Sequence, residues 1–175
     1  MKSIYTPIDA KSHLVNFRDK PFRQYQSETV SYIIDSTRKF KIVRAPCGSG
    51  KSLIAMVCGV MAGSLTYWVG SKFLQTQITN DFGNAVSMWG RANYPCSSDP
   101  TRNCDECLAT EAHPCQKVCP YKQAKQKAID AQYKILNFAY AFTEMRFAGR
   151  FSGAPFSVID ESDSLSDTLI QNVSL

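Results

Sequence analysis

No stretch of this sequence is apolar for long enough to cross a bilayer. The longest apolar run, Leu53 to Ala62, is interrupted by Gly59 and falls well short of the ~20 residues a spanning helix needs. A secretory leader is missing too: the opening MKSIYTPIDAKSH has no apolar core and no small-residue cleavage pattern. The expectation is an intracellular, soluble protein, cytoplasmic for a bacterial or phage gene product, with no membrane partner. Internal repeats and low-complexity tracts are lacking, which excludes solenoids and disordered linkers. Charge of one sign is not in large excess. Twenty Lys and Arg against 15 Asp and Glu give a net charge of +5, compatible with a polyanionic partner without identifying one. The 175 residues, 44% hydrophobic, suffice for one domain with a substantial core.

Cysteine, by contrast, is plentiful. Of the seven, Cys47 and Cys58 stand alone, and Cys96, Cys104, Cys107, Cys115 and Cys119 fall in one segment. In a reducing compartment clustered thiols hold metals more often than they form disulfides. Residues 93–121 carry Cys-x2-Cys at 104 and 107 and Cys-x3-Cys at 115 and 119, with Cys96 upstream and Pro95, Pro114 and Pro120 alongside. Four thiolates would satisfy a tetrahedral zinc or an iron–sulfur cluster; composition does not choose, and one of the five cysteines is spare.

Around this insertion the pattern alternates. Residues 1–20 read as a loosely ordered lead-in. Residues 21–39 read as a helix with Tyr25, Val30, Ile33 and Ile34 near one face. FKIVRA (40–45) reads as a short strand, and 53–63 as an apolar helix ended by glycine. Strands are expected at 65–70, 85–90, 133–137 and 156–161, and helices at 72–82, 121–131 and 138–145. Strands alternating with helices imply an α/β fold with a mainly parallel sheet. The lobe spans 21–90 and 121–175; residues 91–120 are a Cys-rich insertion.

Two motifs carry chemistry. APCGSGKS (45–52) matches G-x-x-x-x-G-K-[ST] except at Ala45. Gly48, Ser49 and Gly50 would turn backbone N–H groups around phosphate oxygens, helped by the N-terminus of the following helix. Lys51 would reach the β- and γ-phosphates, and the Ser52 hydroxyl would bind Mg²⁺. VIDESD (158–163) ends an apolar strand on two acids, at the edge of a parallel sheet where ligands bind. Asp160 would hold Mg²⁺ through a water, and Glu161 would orient and deprotonate the water attacking the γ-phosphate. Upstream, Arg23 and Gln26 in FRQYQ would hydrogen-bond an adenine edge. A nucleotide kinase would share the phosphate loop, but the FRQYQ segment and the cysteine insertion argue against one.

Taken in order, R-x-Y-Q (23–26), APCGSGKS, GSKFLQTQ (70–77), GRANYPC (90–96), the cysteine cluster, CPYKQAKQKA (119–128), ILNFAY (135–140) and VIDESD resemble the iron–sulfur DNA helicases of the XPD and DinG type, in helicase superfamily 2. The resemblance covers 22–175. Its most specific parts are GRANYPC and the CPY-x3-K-x2-A with LNFAY that leave the insertion. It implies a RecA-like P-loop NTPase lobe, the first of two motor lobes, with ATP, Mg²⁺ and a [4Fe–4S] cluster as cofactors (Zn²⁺ being the alternative). It further implies an ATP-hydrolysing 5′-to-3′ helicase acting on single-stranded or forked DNA. Cys96 matches the first cluster ligand and Cys119 the fourth; the middle two come from Cys104, Cys107 and Cys115. GSKFLQTQ matches a segment that touches the DNA backbone. Lys117, Lys122, Lys125, Lys127 and Arg91 would contact phosphates, and Tyr94 and Tyr121 would stack on bases.

Two departures qualify the resemblance. Asp163 stands where the family has the histidine of DEAH, so the coupling of hydrolysis to DNA contacts is not carried over. The sequence stops fourteen residues (175 − 161) after Glu161, so the second lobe and its arginine finger are expected to lie elsewhere, on a longer chain or a second polypeptide. A zinc-bound nucleic-acid-binding remnant that does not turn over ATP is the alternative.

Overall fold

Strand β1 (Leu65–Val69) is apolar along almost its whole length because helices cover both of its faces. In the computed structural model, which describes residues 6–107, 114–147, 149–151, 153–162, 165–166 and 170, β1 lies inside a four-stranded sheet. The other strands are β2 (Val86–Met88), β3 (Tyr133–Asn137) and β4 (Ser157–Ile159), in the order β2-β3-β1-β4. Every pairing is parallel, with Leu65 opposite Tyr133 and Thr66 opposite Ser157. The fold is α/β, as expected.

The helices are α1 (Pro7–Ser12), α2 (Gln26–Asp35), α3 (Lys51–Ala62), α4 (Lys72–Phe82), α5 (Pro120–Asp130) and α6 (Phe138–Phe147). Alternation along the strands divides the interior in two. Leu65, Tyr67, Val69, Tyr133 and Ile135 join one core with α1, α2, α3 and the Ile78 and Phe82 side of α4. Trp68, Met88 and Leu136 join a second with Ala128 of α5 and Tyr140 and Ala141 of α6. Gly59 lets α3 lie directly on β1: a Cβ there would stand 2.7 Å from the Leu65 Cβ.

Three expectations are corrected. Residues 1–20 are not a loose lead-in throughout. Thr6 and Asp9 form a reciprocal capping box that starts α1, and Ala10 and Leu14 are wholly buried in the first core. The buried Lys11 ammonium then donates to the carbonyls of Phe17, Arg18 and Lys20, tying the following turn down. Second, α2 starts at Gln26 rather than residue 21, and Tyr25 sits in the left-handed region (φ 67°) and is exposed; Val30 and Ile33 are buried as the stripe requires.

The third correction is FKIVRA. Among the described residues, 40–46 pair with no strand, and Ile42 is 97% exposed. β-rich composition describes a surface suited to pleating; a strand also needs a neighbouring strand, and the segment is not laid beside either edge strand, β2 or β4. Asp163 lies outside the described residues.

Candidate active site and cysteine insertion

The glycine loop expected to bind phosphate, residues 45–52, leads into the N-terminus of α3. Gly48 and Gly50 adopt φ of +74° and +87°, in the left-handed region that side chains disfavour. Gly50 is the N-cap of α3 and offers no side chain to its first N–H groups, which leaves them and the positive end of the helix dipole for an anion. Lys51 folds back so that its ammonium donates to the carbonyls of Ala45 (3.1 Å) and Pro46 (3.2 Å). The Ser49 hydroxyl is buried without a hydrogen-bond partner among the described residues.

Arg23 and Gln26 turn out to serve the loop itself. The Arg23 guanidinium donates to the Gly48 carbonyl. Gln26 donates through Nε2 to the Ser49 carbonyl at 2.8 Å and accepts the Arg23 N–H at 2.8 Å. Both ends of the Gln26 amide are therefore occupied, and a Cβ at Gly50 would collide with its Nε2. The structure brings these residues to the expected neighbourhood, where they hold the backbone of the glycine loop.

Asp160 follows the last residue of β4, and its backbone N–H donates to the Trp68 carbonyl at 2.9 Å. Its Oδ1 accepts the Glu161 N–H at 3.0 Å, and its Oδ2 accepts the Tyr67 hydroxyl at 2.7 Å. The Ser52 side chain is near enough to that same phenol to act on its ionisation, which places residues of the two motifs in one neighbourhood. Glu161 is exposed with φ of +51°, a conformation unusual for a residue with a side chain and frequent at functional sites. Tyr67 was not anticipated as a site residue: a tyrosine in a buried strand reads as core, and only the pairing of β1 with β4 reveals where its hydroxyl arrives. Burial, reinforced by the Asp160 charge, holds that phenol far above its ordinary pKa. A carboxylate, a hydroxyl and an adjacent lysine are the donor set that Mg²⁺ with a triphosphate requires.

The insertion begins with a short turn, Arg91–Asn93, and a hairpin. Pro95 bridges Asn103, Cys96 donates its N–H to Arg102 at 2.9 Å, and Cys104 donates to Tyr94 at 2.8 Å. Cys119 caps α5 and lies with its sulfur 3.9 Å from that of Cys104. Cys96, Cys104 and Cys115 are buried and Cys107 and Cys119 half-buried, with no disulfide among the described residues. Ser98, through its hydroxyl and then its backbone, holds the Cys96 thiol below the usual range; burial pushes Cys104 up. Thiolates are the right donors for zinc or an iron–sulfur cluster. Among the described residues, however, no group of three or more His, Cys, Asp or Glu is gathered closely enough to hold an ion; the Cys104 and Cys119 sulfurs approach each other, and the Cys107 side chain acts on the Cys96 thiol.

Several residues expected to meet DNA are engaged within the protein. Lys125 forms an ion pair with Glu144, both largely buried, and faces the Tyr121 ring. The Arg91 guanidinium lies over that ring and donates through Nε to the Cys104 carbonyl at 3.2 Å. Tyr94 and Tyr121 pack edge to face, centroids 5.7 Å apart, as part of the second core. Lys117, Lys122 and Lys127 are exposed. In GSKFLQTQ, Ser71 caps α4, Phe73 is exposed, and Gln75 is buried, donating to the Met88 and Ile135 carbonyls. No helix among the described residues is long and apolar enough to cross a membrane. No protein-family model, curated protein or solved structure matches the chain.

Proposed function

We propose that this chain is the ATP-binding lobe of a nucleic-acid motor, a RecA-like P-loop NTPase lobe with a metal-binding insertion. The observation that carries the reading is the Tyr67 hydroxyl, which donates to Asp160 at 2.7 Å and lies near enough to Ser52, from the other motif, for that side chain to act on its ionisation. In this reading the uncapped N-terminus of α3 receives the phosphates, and Lys51 swings from its own loop carbonyls to the β- and γ-oxygens. Ser52 and Asp160 hold Mg²⁺, and Glu161 takes the proton of the attacking water. Arg23 and Gln26 keep the loop in shape. Single-stranded DNA is the proposed partner, met by the exposed Lys117, Lys122 and Lys127 and by the start of α4. A second lobe, on the same or another polypeptide, would supply an arginine finger, worth ~10³–10⁵ in rate.

The test is binding of a fluorescent ATP analogue with Mg²⁺, then ATP hydrolysis with and without single-stranded DNA. Binding lost in Lys51→Ala supports the lobe; indifference to that substitution refutes it. Iron and sulfide content with absorbance near ~400 nm would favour the cluster.

One observation favours a second reading, the zinc-bound nucleic-acid-binding module. Two thiolates on one tetrahedral zinc, each at ~2.3 Å, stand about 3.8 Å apart, and the Cys104 and Cys119 sulfurs are 3.9 Å apart. A colourless, zinc-containing protein that binds DNA without hydrolysing ATP would establish it.

A further inference from the structure

Tyr67 is the residue the proposed chemistry leaves without a task. It occupies the middle of β1, opposite Val158 of β4, and is 1% exposed. Its ring belongs to the first core. A phenylalanine would fill that core equally well, so packing does not explain the hydroxyl. The hydroxyl is placed where packing has no use for it. It donates to Asp160 Oδ2 at 2.7 Å and interacts with the Ser52 side chain.

The rest of the Asp160 carboxylate is fixed as well. Oδ1 accepts the Glu161 N–H, and the Asp160 backbone is held by Trp68. With one oxygen on the Glu161 N–H and the other on the Tyr67 hydroxyl, the carboxylate keeps a single orientation. Ser52 comes from the first turn of α3, and its side chain is near enough to the same phenol to act on its ionisation.

Resting on the ATP-binding reading above, we propose that Tyr67 is a positioning residue for the metal of this site: its hydroxyl sets the Asp160 carboxylate and the Ser52 hydroxyl in register for one divalent cation that arrives with a nucleoside triphosphate. It touches neither nucleotide nor metal. Groups that orient metal ligands in this way commonly control affinity by about 10–100-fold.

The experiment titrates Mg²⁺ into the full chain with a fluorescent ATP analogue, comparing wild type, Lys51→Ala and Tyr67→Phe. Tyr67→Phe is expected to raise the Mg²⁺ concentration for half-maximal binding about tenfold or more, with nucleotide affinity at saturating Mg²⁺ and the melting temperature little changed. In an Asp160→Asn background the same substitution should add nothing. A purely structural role would lower the melting temperature and leave the Mg²⁺ midpoint alone, and that result overturns the inference. If Tyr67→Phe does not fold, 3-fluorotyrosine placed at position 67 substitutes for it. Its ¹⁹F resonance should move when Mg²⁺ is added to the nucleotide-bound protein, and a resonance indifferent to Mg²⁺ overturns the inference. Binding that is lost in Lys51→Ala while Tyr67→Phe leaves the Mg²⁺ midpoint unmoved overturns this inference alone; no Lys51-dependent binding overturns the ATP-binding reading with it.

Discussion

The phosphate-loop edge and the cysteine insertion are both assembled from residues far apart in sequence, yet they are held differently. At the phosphate loop the chain supplies its own fastenings: Arg23 and Gln26 on loop carbonyls, and Tyr67 between Ser52 and Asp160. The insertion has a hairpin that sets Cys96 opposite Arg102 and Cys104 opposite Tyr94, the Cys104 sulfur 3.9 Å from that of Cys119, and α5 moored through Lys125 and Glu144. A site made by hydrogen bonds is preformed; a site made of thiols is completed by the ion, whose binding energy becomes folding energy. The difference suggests that nucleotide binding at the first will tolerate metal loss at the second.

The strongest challenge to that contrast is Lys51→Ala. It should abolish binding of the ATP analogue while leaving the metal content of the insertion intact, as measured by elemental analysis. Loss of both together would mean that the two regions are one cooperative unit.

Next in size is Lys125→Ala. It leaves the buried Glu144 carboxylate, whose Oε2 already lacks a partner, without its cation. A loss of about 3–5 kcal/mol in urea unfolding is expected. Replacing Lys125 and Glu144 together with methionine should recover much of it. If the single substitution costs nothing, α5 is not moored as described.

Gly59→Ala presses a methyl onto Leu65 and should cost about 1–3 kcal/mol, read in the same unfolding assay. The expected effect falls on the sheet core beneath the phosphate loop and spares the metal content.

The smallest effect is chemical. Burial raises the Cys58 thiol to about 12. Because the thiolate is the reactive form, Cys58 should resist alkylation at pH 8 until the protein unfolds. Exposed Cys47 should react at once. Cys104 and Cys119 should become reactive when a chelator is added to metal-loaded protein. If they react equally with and without chelator, they are not ligands.

Much of this was legible in the residues. The spans 72–82 and 133–137 emerge as α4 and β3 with the boundaries their patterns gave, since apolar period and flanking glycine or asparagine agree there. The Gly-x-Gly-Lys-Ser run foretold a loop in left-handed backbone, because few sequences other than glycine permit it. FKIVRA failed for the opposite reason. Its composition suits a strand, but pairing depends on where the whole fold lays the segment relative to a sheet edge, and no local pattern records that. The contact between Tyr94 and Tyr121 was not legible for a similar reason: the two lie 27 positions apart (121 − 94), and nothing local says that they pack on each other.

What the sequence determined by itself was local: which residues turn, which alternate, and which donor types are clustered. Steric limits on glycine and the periods of helix and strand act over a few residues and need no partner. Only the tertiary structure decided that Tyr67 reaches Asp160, that Arg23 and Gln26 grip the loop, and that Lys125 is spent on Glu144. Those outcomes depend on strand order and on distances across the chain, and a hydrogen bond forms only between groups that folding has brought within about 3 Å.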